Sequence, residues 1–153
     1  MMNEKIIKSL RSKKGESYID TVIMVVVAIM SIVLALNVFS YFSLKQDIDY
    51  IASEVAERAA LEGYADANNA EISSLLNSLV SKERLDPSLL TCEITAETDA
   101  YFDRTQKKVQ LGEQMSVKIT YKTTFKGLGA FSDALDILCV SEKSSLSRVY
   151  WKE

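Results

Sequence analysis

Three sets of residues in this 153-residue chain have side chains suited to chemistry or recognition. The first is Gly15 with Asp20, a carboxylate five residues after a glycine, lying between Lys13-Lys14 and the uncharged run Thr21–Leu44. A carboxylate beside hydrocarbon is costly and normally needs a partner. The second is Cys92 with Cys139, separated by 46 residues. Two readings of them stand open: a disulfide worth a few kcal/mol in the loop-entropy picture, or two separate core thiols. The third is Asn37, the one strongly polar side chain deep in the uncharged run. Its amide has two candidate partners, another helix or a backbone carbonyl.

Other chemistry is missing its parts. The chain has no histidine, which removes the commonest general base and metal ligand. It has no paired-cysteine motif and no glycine-rich phosphate loop. Asp99, Asp103 and Glu113 do not have the spacing of a calcium loop. The expectation is a protein that is not an enzyme, with no metal and no cofactor.

Charge is divided along the chain. Residues 1–15 hold five cations and one acid, while residues 45–153 hold 13 cations and 18 acids. The outer part thus carries −5 and offers no basic patch, so nucleic acid is not an expected partner. The basic leader fits the positive-inside rule, which puts the N-terminus in the cytoplasm and everything after Leu44 outside. Thr21–Leu44 has 24 residues without a formal charge. Crossing a bilayer takes about 20, and a removable signal has a shorter apolar region of roughly 7 to 15. A retained membrane helix is therefore expected, with the lipid bilayer as a partner.

The helical pattern continues past the run. Leu44, Ile48, Ile51, Ala52, Val55 and Ala59 repeat at three and four residues, against Lys45, Asp47, Asp49, Glu54, Glu57 and Arg58 opposite. Glu54 and Arg58 are spaced for a helical ion pair. No glycine or proline occurs from Glu16 to Glu62, and Gly63 is placed to end the helix. One helix of some 40-odd residues is expected. A second helix should start at Asn68-Asn69, carrying Ile72, Leu75, Leu76 and Leu79, and close before Pro87. Beyond it the period becomes two. Leu90–Ala96 and Met115–Phe125 alternate as half-buried antiparallel strands. Val109–Leu111 suggests a short strand, 127–129 a loop, 131–138 a short helix, and Cys139–Trp151 a weaker last strand. The aromatics Tyr101, Phe102, Tyr121, Tyr150 and Trp151 are expected in the core or at its rim. The fold class is α+β: a leader (1–15), a membrane and stem helix (16–63), and an extracytoplasmic domain with a small antiparallel sheet (64–153).

Gly15, the stretch Glu16–Asp20 and the apolar helix after them resemble the processing site of a type IV prepilin. The layout is most similar to the minor pilins of Tad-type systems, the TadE-like proteins. The stem from Lys45 to Gly63 resembles theirs as well. Asp20 stands where the family carries glutamate, Thr21 where Tad pilins usually place an aromatic, and Glu16 where the first mature residue is generally apolar. The resemblance implies cutting by a prepilin peptidase between Gly15 and Glu16. It also implies assembly with other pilin subunits through a membrane assembly platform, with Asp20 at the fifth mature position. Cutting would free an amine on Glu16 one helical turn from Asp20. In a filament that amine can neutralise the Asp20 of a neighbour and so set the register. An acid at this edge without such a context would simply sit at headgroup level; with Gly15 and the leader before it, the assembly role is preferred. The expected function is a minor pilin or pseudopilin precursor of a Tad-like pilus. The alternative is an uncleaved single-pass protein whose outer domain binds a ligand or partner.

Overall fold

The computed structural model describes residues 13–124 and 136–152. The glycine- and proline-free stretch from Glu16 forms most of α1, Lys13–Glu62, which at 50 residues is about 75 Å long. The chain divides into two units, Met1–Phe39 and Ser40–Glu153, so the boundary falls inside this helix.

In the first unit α1 is apolar on all sides, and every large hydrophobic side chain from Tyr18 to Phe39 except Val33 is exposed. This part is long and apolar enough to cross a membrane.

In the second unit α1 becomes the spine of a core. Ile48, Ile51, Ala52, Val55, Ala56, Ala59 and Ala60 are buried at the three-four spacing that the sequence shows. The second helix, α2, spans Ala70–Lys82, with the Asn69 side chain accepting from the Glu71 N–H at its start. It buries Ile72, Leu79 and Val80. The segment ends in a single 3₁₀ turn at Pro87–Leu89, begun by the Asp86 carboxylate accepting from the Ser88 N–H.

Five strands follow: β1 Leu90–Ala96, β2 Tyr101–Asp103, β3 Lys108–Val109, β4 Gln114–Thr124 and β5 Asp136–Leu146. β1, β4 and β5 form an antiparallel sheet in that order, with β2 and β3 as a separate hairpin. Met115, Val117, Ile119 and Tyr121 of β4 are buried, together with Ile94 of β1 and Cys139 of β5. The fold is α+β, a long apolar N-terminal helix with a small antiparallel sheet.

Two expected strands differ and one was not expected; the short strand is Lys108–Val109 rather than Val109–Leu111. The last strand begins at Asp136 rather than Cys139 and ends at Leu146. It starts early because β4 continues to Thr124, which pairs with Asp136, so that backbone groups on both strands are satisfied. Residues 136–138 are therefore strand, not the end of a helix; residues 131–135, the loop 127–129 and Phe125 lie outside the described residues. β2 escaped the sequence reading because it is only three residues long. It pairs with β3 around a turn in which the Asp103 carboxylate accepts from the N–H groups of Thr105 (2.8 Å) and Gln106 (3.2 Å).

Residues 147–151 form a strap rather than a strand, and it closes the end of α1. The N–H of Arg148 donates to Ala60 O (2.8 Å), the Gly63 N–H to Ala59 O (2.8 Å), and the Val109 N–H to Gly63 O (2.9 Å). Carbonyls left over at a helix end are thereby satisfied. Trp151 donates from Nε1 to Val109 O (3.1 Å), and its ring meets Tyr64 edge-on. Gly63 has φ +68°, and a Cβ there would lie 2.8 Å from Val149 Cβ and 3.2 Å from Trp151 Nε1. Gly63→Ala should therefore meet left-handed strain of about 1–2 kcal/mol and also push the strap off the helix end. The expected result is a loss of about 2 kcal/mol or more in unfolding of the full-length protein in detergent, followed by Trp151 emission.

Candidate functional site

Gly15 and Glu16 lie within α1, in its first turn. Asp20 follows on the same helix and is exposed, and no ion pair to it occurs among the described residues. Helical geometry puts the Glu16 and Asp20 backbones one turn apart. The Asp20 carboxylate is exposed, and a carboxylate at a membrane edge is costly unless a partner or the headgroup layer answers it.

Asn37 donates from Nδ2 to Val33 O (2.8 Å) in its own helix. Of the two partners open to it from sequence, this is the backbone carbonyl.

Cys92 and Cys139 are not joined, and the disulfide reading is corrected. Cys92 pairs with Ile119 and Cys139 with Tyr121, so β4 runs between them. Two strand spacings keep them at least about 9 Å apart, beyond the roughly 7 Å limit for a bridge. Burial pushes the Cys92 thiol up to about 11, with Glu93 adding to it. Burial likewise raises Cys139. Neither thiol has the acidity of a nucleophile. They are core side chains.

A polar cluster that the sequence did not disclose fastens β5 to α1. Lys45 Nζ donates to Asp49 Oδ1 (2.7 Å) and to Val140 O (2.7 Å), and the buried Ser141 hydroxyl donates to the same Asp49 oxygen. Further along, Ser145 Oγ donates to Ala56 O (2.8 Å). Sequence reasoning placed Lys45 and Asp49 on the solvent face. The available signal was Ser141, Ser145 and Ser147 at period two, a row of small polar residues that allows close approach to a helix. Burial alone would raise the Asp49 carboxyl, but hydrogen bonds from Lys45 and Ser141 and the charges of Lys45 and Lys143 outweigh it and lower it. A carboxyl lowered on folding contributes stability above its unfolded value of about 3.9 and loses that contribution as pH falls through its folded value. Asp49→Asn should thus lower the melting temperature at pH 7 and flatten its decline below about pH 4. Over a third of the Asp49 side chain is exposed, so the loss should stay within about 1 kcal/mol.

The groove between α1 and α2 is lined by Glu54, Glu57, Arg58, Glu71 and Ser78, and ion pairs cross it. Arg58 pairs with Glu71 (2.7 Å) and Glu62 (3.4 Å) rather than with Glu54 as its spacing suggested, and Arg148 lies 3.8 Å from Glu57. Glu71 wins because α2 brings it against the guanidinium with a short charged hydrogen bond. No cluster of three or more metal-ligating side chains occurs among the described residues.

The polar contacts described in the second unit are joints of the fold, and near the start of α1 Asp20 is exposed. No curated protein and no solved structure matches the chain. Residues 23–152 match a family described as a domain of unknown function (DUF4320). That match runs from within the apolar run through the sheet and the strap, and the chain belongs to this family.

Proposed function

We propose that this protein is a minor pilin or pseudopilin precursor of a Tad-like pilus. Its leader stays in the cytoplasm, its apolar helix enters the membrane, and its sheet domain lies outside. A prepilin peptidase cuts after Gly15, and the mature subunit joins other pilin subunits through a membrane assembly platform. The observation that carries this reading is the continuity of α1. A single helix runs without a break from the Gly15–Asp20 junction through the exposed apolar stretch to Glu62, in the core of the domain. A tethered sensor or binding domain needs no such continuity, because a flexible linker would serve it. A filament subunit does need it, since the helix that packs against neighbours also has to carry the domain. The exposed Asp20 supports the same reading, because it offers its charge to a neighbour's new amine.

The test is processing. In a host with an active prepilin peptidase, the mature chain should begin at Glu16, having lost 15 residues and all five leader cations. N-terminal sequencing or intact mass reads this directly. A mature chain that keeps Met1 beside an active peptidase would rule the precursor out in favour of an uncleaved single-pass protein.

A further inference from the structure

The three-stranded sheet of the second unit ends in β1 and β5, which pair only with β4 among the described residues. Hydrogen bonds fix which backbone groups each edge turns outward. On β5, the Ser147 N–H donates to Glu113 O just past the last ladder pair, Gln114 with Leu146. Odd-numbered residues therefore bond toward β4 and even-numbered ones point away. Val140 O accordingly accepts from Lys45 Nζ. On β1, the Leu90 N–H turns back to Pro87 O, and the Ala96 N–H donates to the Tyr101 hydroxyl (3.2 Å). The outward residues of β1 are thus Leu90, Cys92, Ile94 and Ala96.

Natural sheet edges are blunted by short strands, lysine, proline or a bulge. β5 has 11 residues, no proline and an unbroken register. Its one lysine, Lys143, alternates with Ser141 and Ser145 on the face toward α1. Such an edge is built to be paired. The two edges also differ in charge. Beside β1 lies an open trough of about 400 Å³, lined by Ile94, Thr95, Tyr101 and the cations Arg104 and Lys107. Lys107 is shared with Asp66 at 3.0 Å. The exposed outer face of β5 carries Asp136 and Glu142. Joining like edges sets acid beside acid or cation beside cation, whereas joining β5 to β1 brings unlike charges together. β1 and β5 are both antiparallel to β4 and so run the same way. A copy related by simple translation can therefore lay its β5 parallel to β1, with the stems of both copies in one direction.

We infer that β5 of one copy adds to the open edge of β1 in a second copy, so that the sheet continues from subunit to subunit through a head-to-tail contact. This rests on the pilin reading only in requiring that the stems share a direction. Side-chain alternation allows registers that differ by two residues. In them Glu142 of the neighbouring copy falls beside Thr91, Glu93 or Thr95. Glu93 would set carboxylate against carboxylate. Of the three only Thr95 borders the trough, where Arg104 and Lys107 answer the charge. The same register sets Leu138 of the neighbouring copy beside Thr91.

The experiment co-expresses two tagged forms of the full-length chain, both with Cys92→Ala, in a host that has a prepilin peptidase and an assembly platform. One form carries Thr91→Cys and the other Leu138→Cys, both at exposed positions. Neighbouring strands lie about 5 Å apart, within the roughly 7 Å reach of a disulfide. Mild oxidation should therefore join the two tags. Arg104→Glu with Lys107→Glu in the Thr91→Cys form should lower that yield several-fold, and Glu142→Lys in the other form should restore it, which a folding defect would not allow. A disulfide formed only within one tag would show like edges meeting and overturn the inference. Chains that begin at Glu16 and enter sheared filaments without the mixed disulfide leave the pilin reading standing and overturn the inference alone. A mixed disulfide between chains that keep Met1 would support the pairing and sink the pilin reading.

Discussion

Asp20→Asn should leave membrane insertion intact or slightly improved and abolish incorporation into filaments. The two readouts separate because they depend on different surroundings of one carboxylate. At insertion the side chain meets water, headgroups and the bilayer edge, and removing its charge lowers the cost of that position. On the pilin proposal the Glu16 amine of a neighbour would be packed among helices in a filament, and without Asp20 it would become a buried charge with no partner. Breaking such a pair costs about 3–5 kcal/mol per contact, a factor of about 150 or more in each subunit–subunit equilibrium. Asp20→Glu should retain most assembly, since the charge remains and the reach grows by one methylene. Membrane-fraction and sheared-filament protein are to be measured separately for both variants beside the wild type. Wild-type incorporation by Asp20→Asn would reduce the acid to a headgroup-level residue, and the pilin proposal would lose its chief support in the chain.

Ile51→Ala should cause a large loss of stability in the second unit. Ile51 is fully buried on the stem half of α1, in the core shared with the sheet. Truncating such a side chain removes its transfer free energy and leaves a cavity, together about 2–5 kcal/mol. Against the 5–15 kcal/mol that holds a typical domain, this is enough to raise the unfolded fraction by a factor of thirty or more, roughly. Ile29→Ala, on the same helix, changes a side chain that is 56% exposed and belongs to the first unit. It should leave unfolding of the domain unchanged. Denaturant or thermal unfolding in detergent, followed by Trp151 emission, compares the two. Equal effects would mean that the domain does not depend on the stem for its core.

Much of this architecture was legible from residue type and spacing. The unbroken run from Glu16 to Glu62 gave the long helix, and the apolar repeat from Ile48 to Ala59 gave its buried face, because helix geometry converts three-four spacing into a stripe. Asn69 before Ala70 and Gly63 after Glu62 marked helix ends through local hydrogen bonding and a positive φ. The alternation in β1 and β4 reported a sheet with one covered face. The basic leader, Gly15 and Asp20 were equally visible, since that motif depends only on order along the chain.

What spacing could not convey was which residues distant in sequence would meet. Cys92 and Cys139 sit on strands of one sheet, and only strand order shows that β4 separates them. Arg58 had a suitable helical neighbour in Glu54, yet its guanidinium is taken by Glu71, thirteen residues away on α2. Lys45 and Asp49 read as solvated charges, and they became a joint because β5 supplies Ser141 and the Val140 carbonyl. The sequence by itself determined the two helices and the strands β1 and β4, where each signal acts within a few residues. Tertiary structure alone decided the partners of the polar side chains, because charged and hydroxyl groups bond to whatever the packing of the apolar faces brings within about 3 Å.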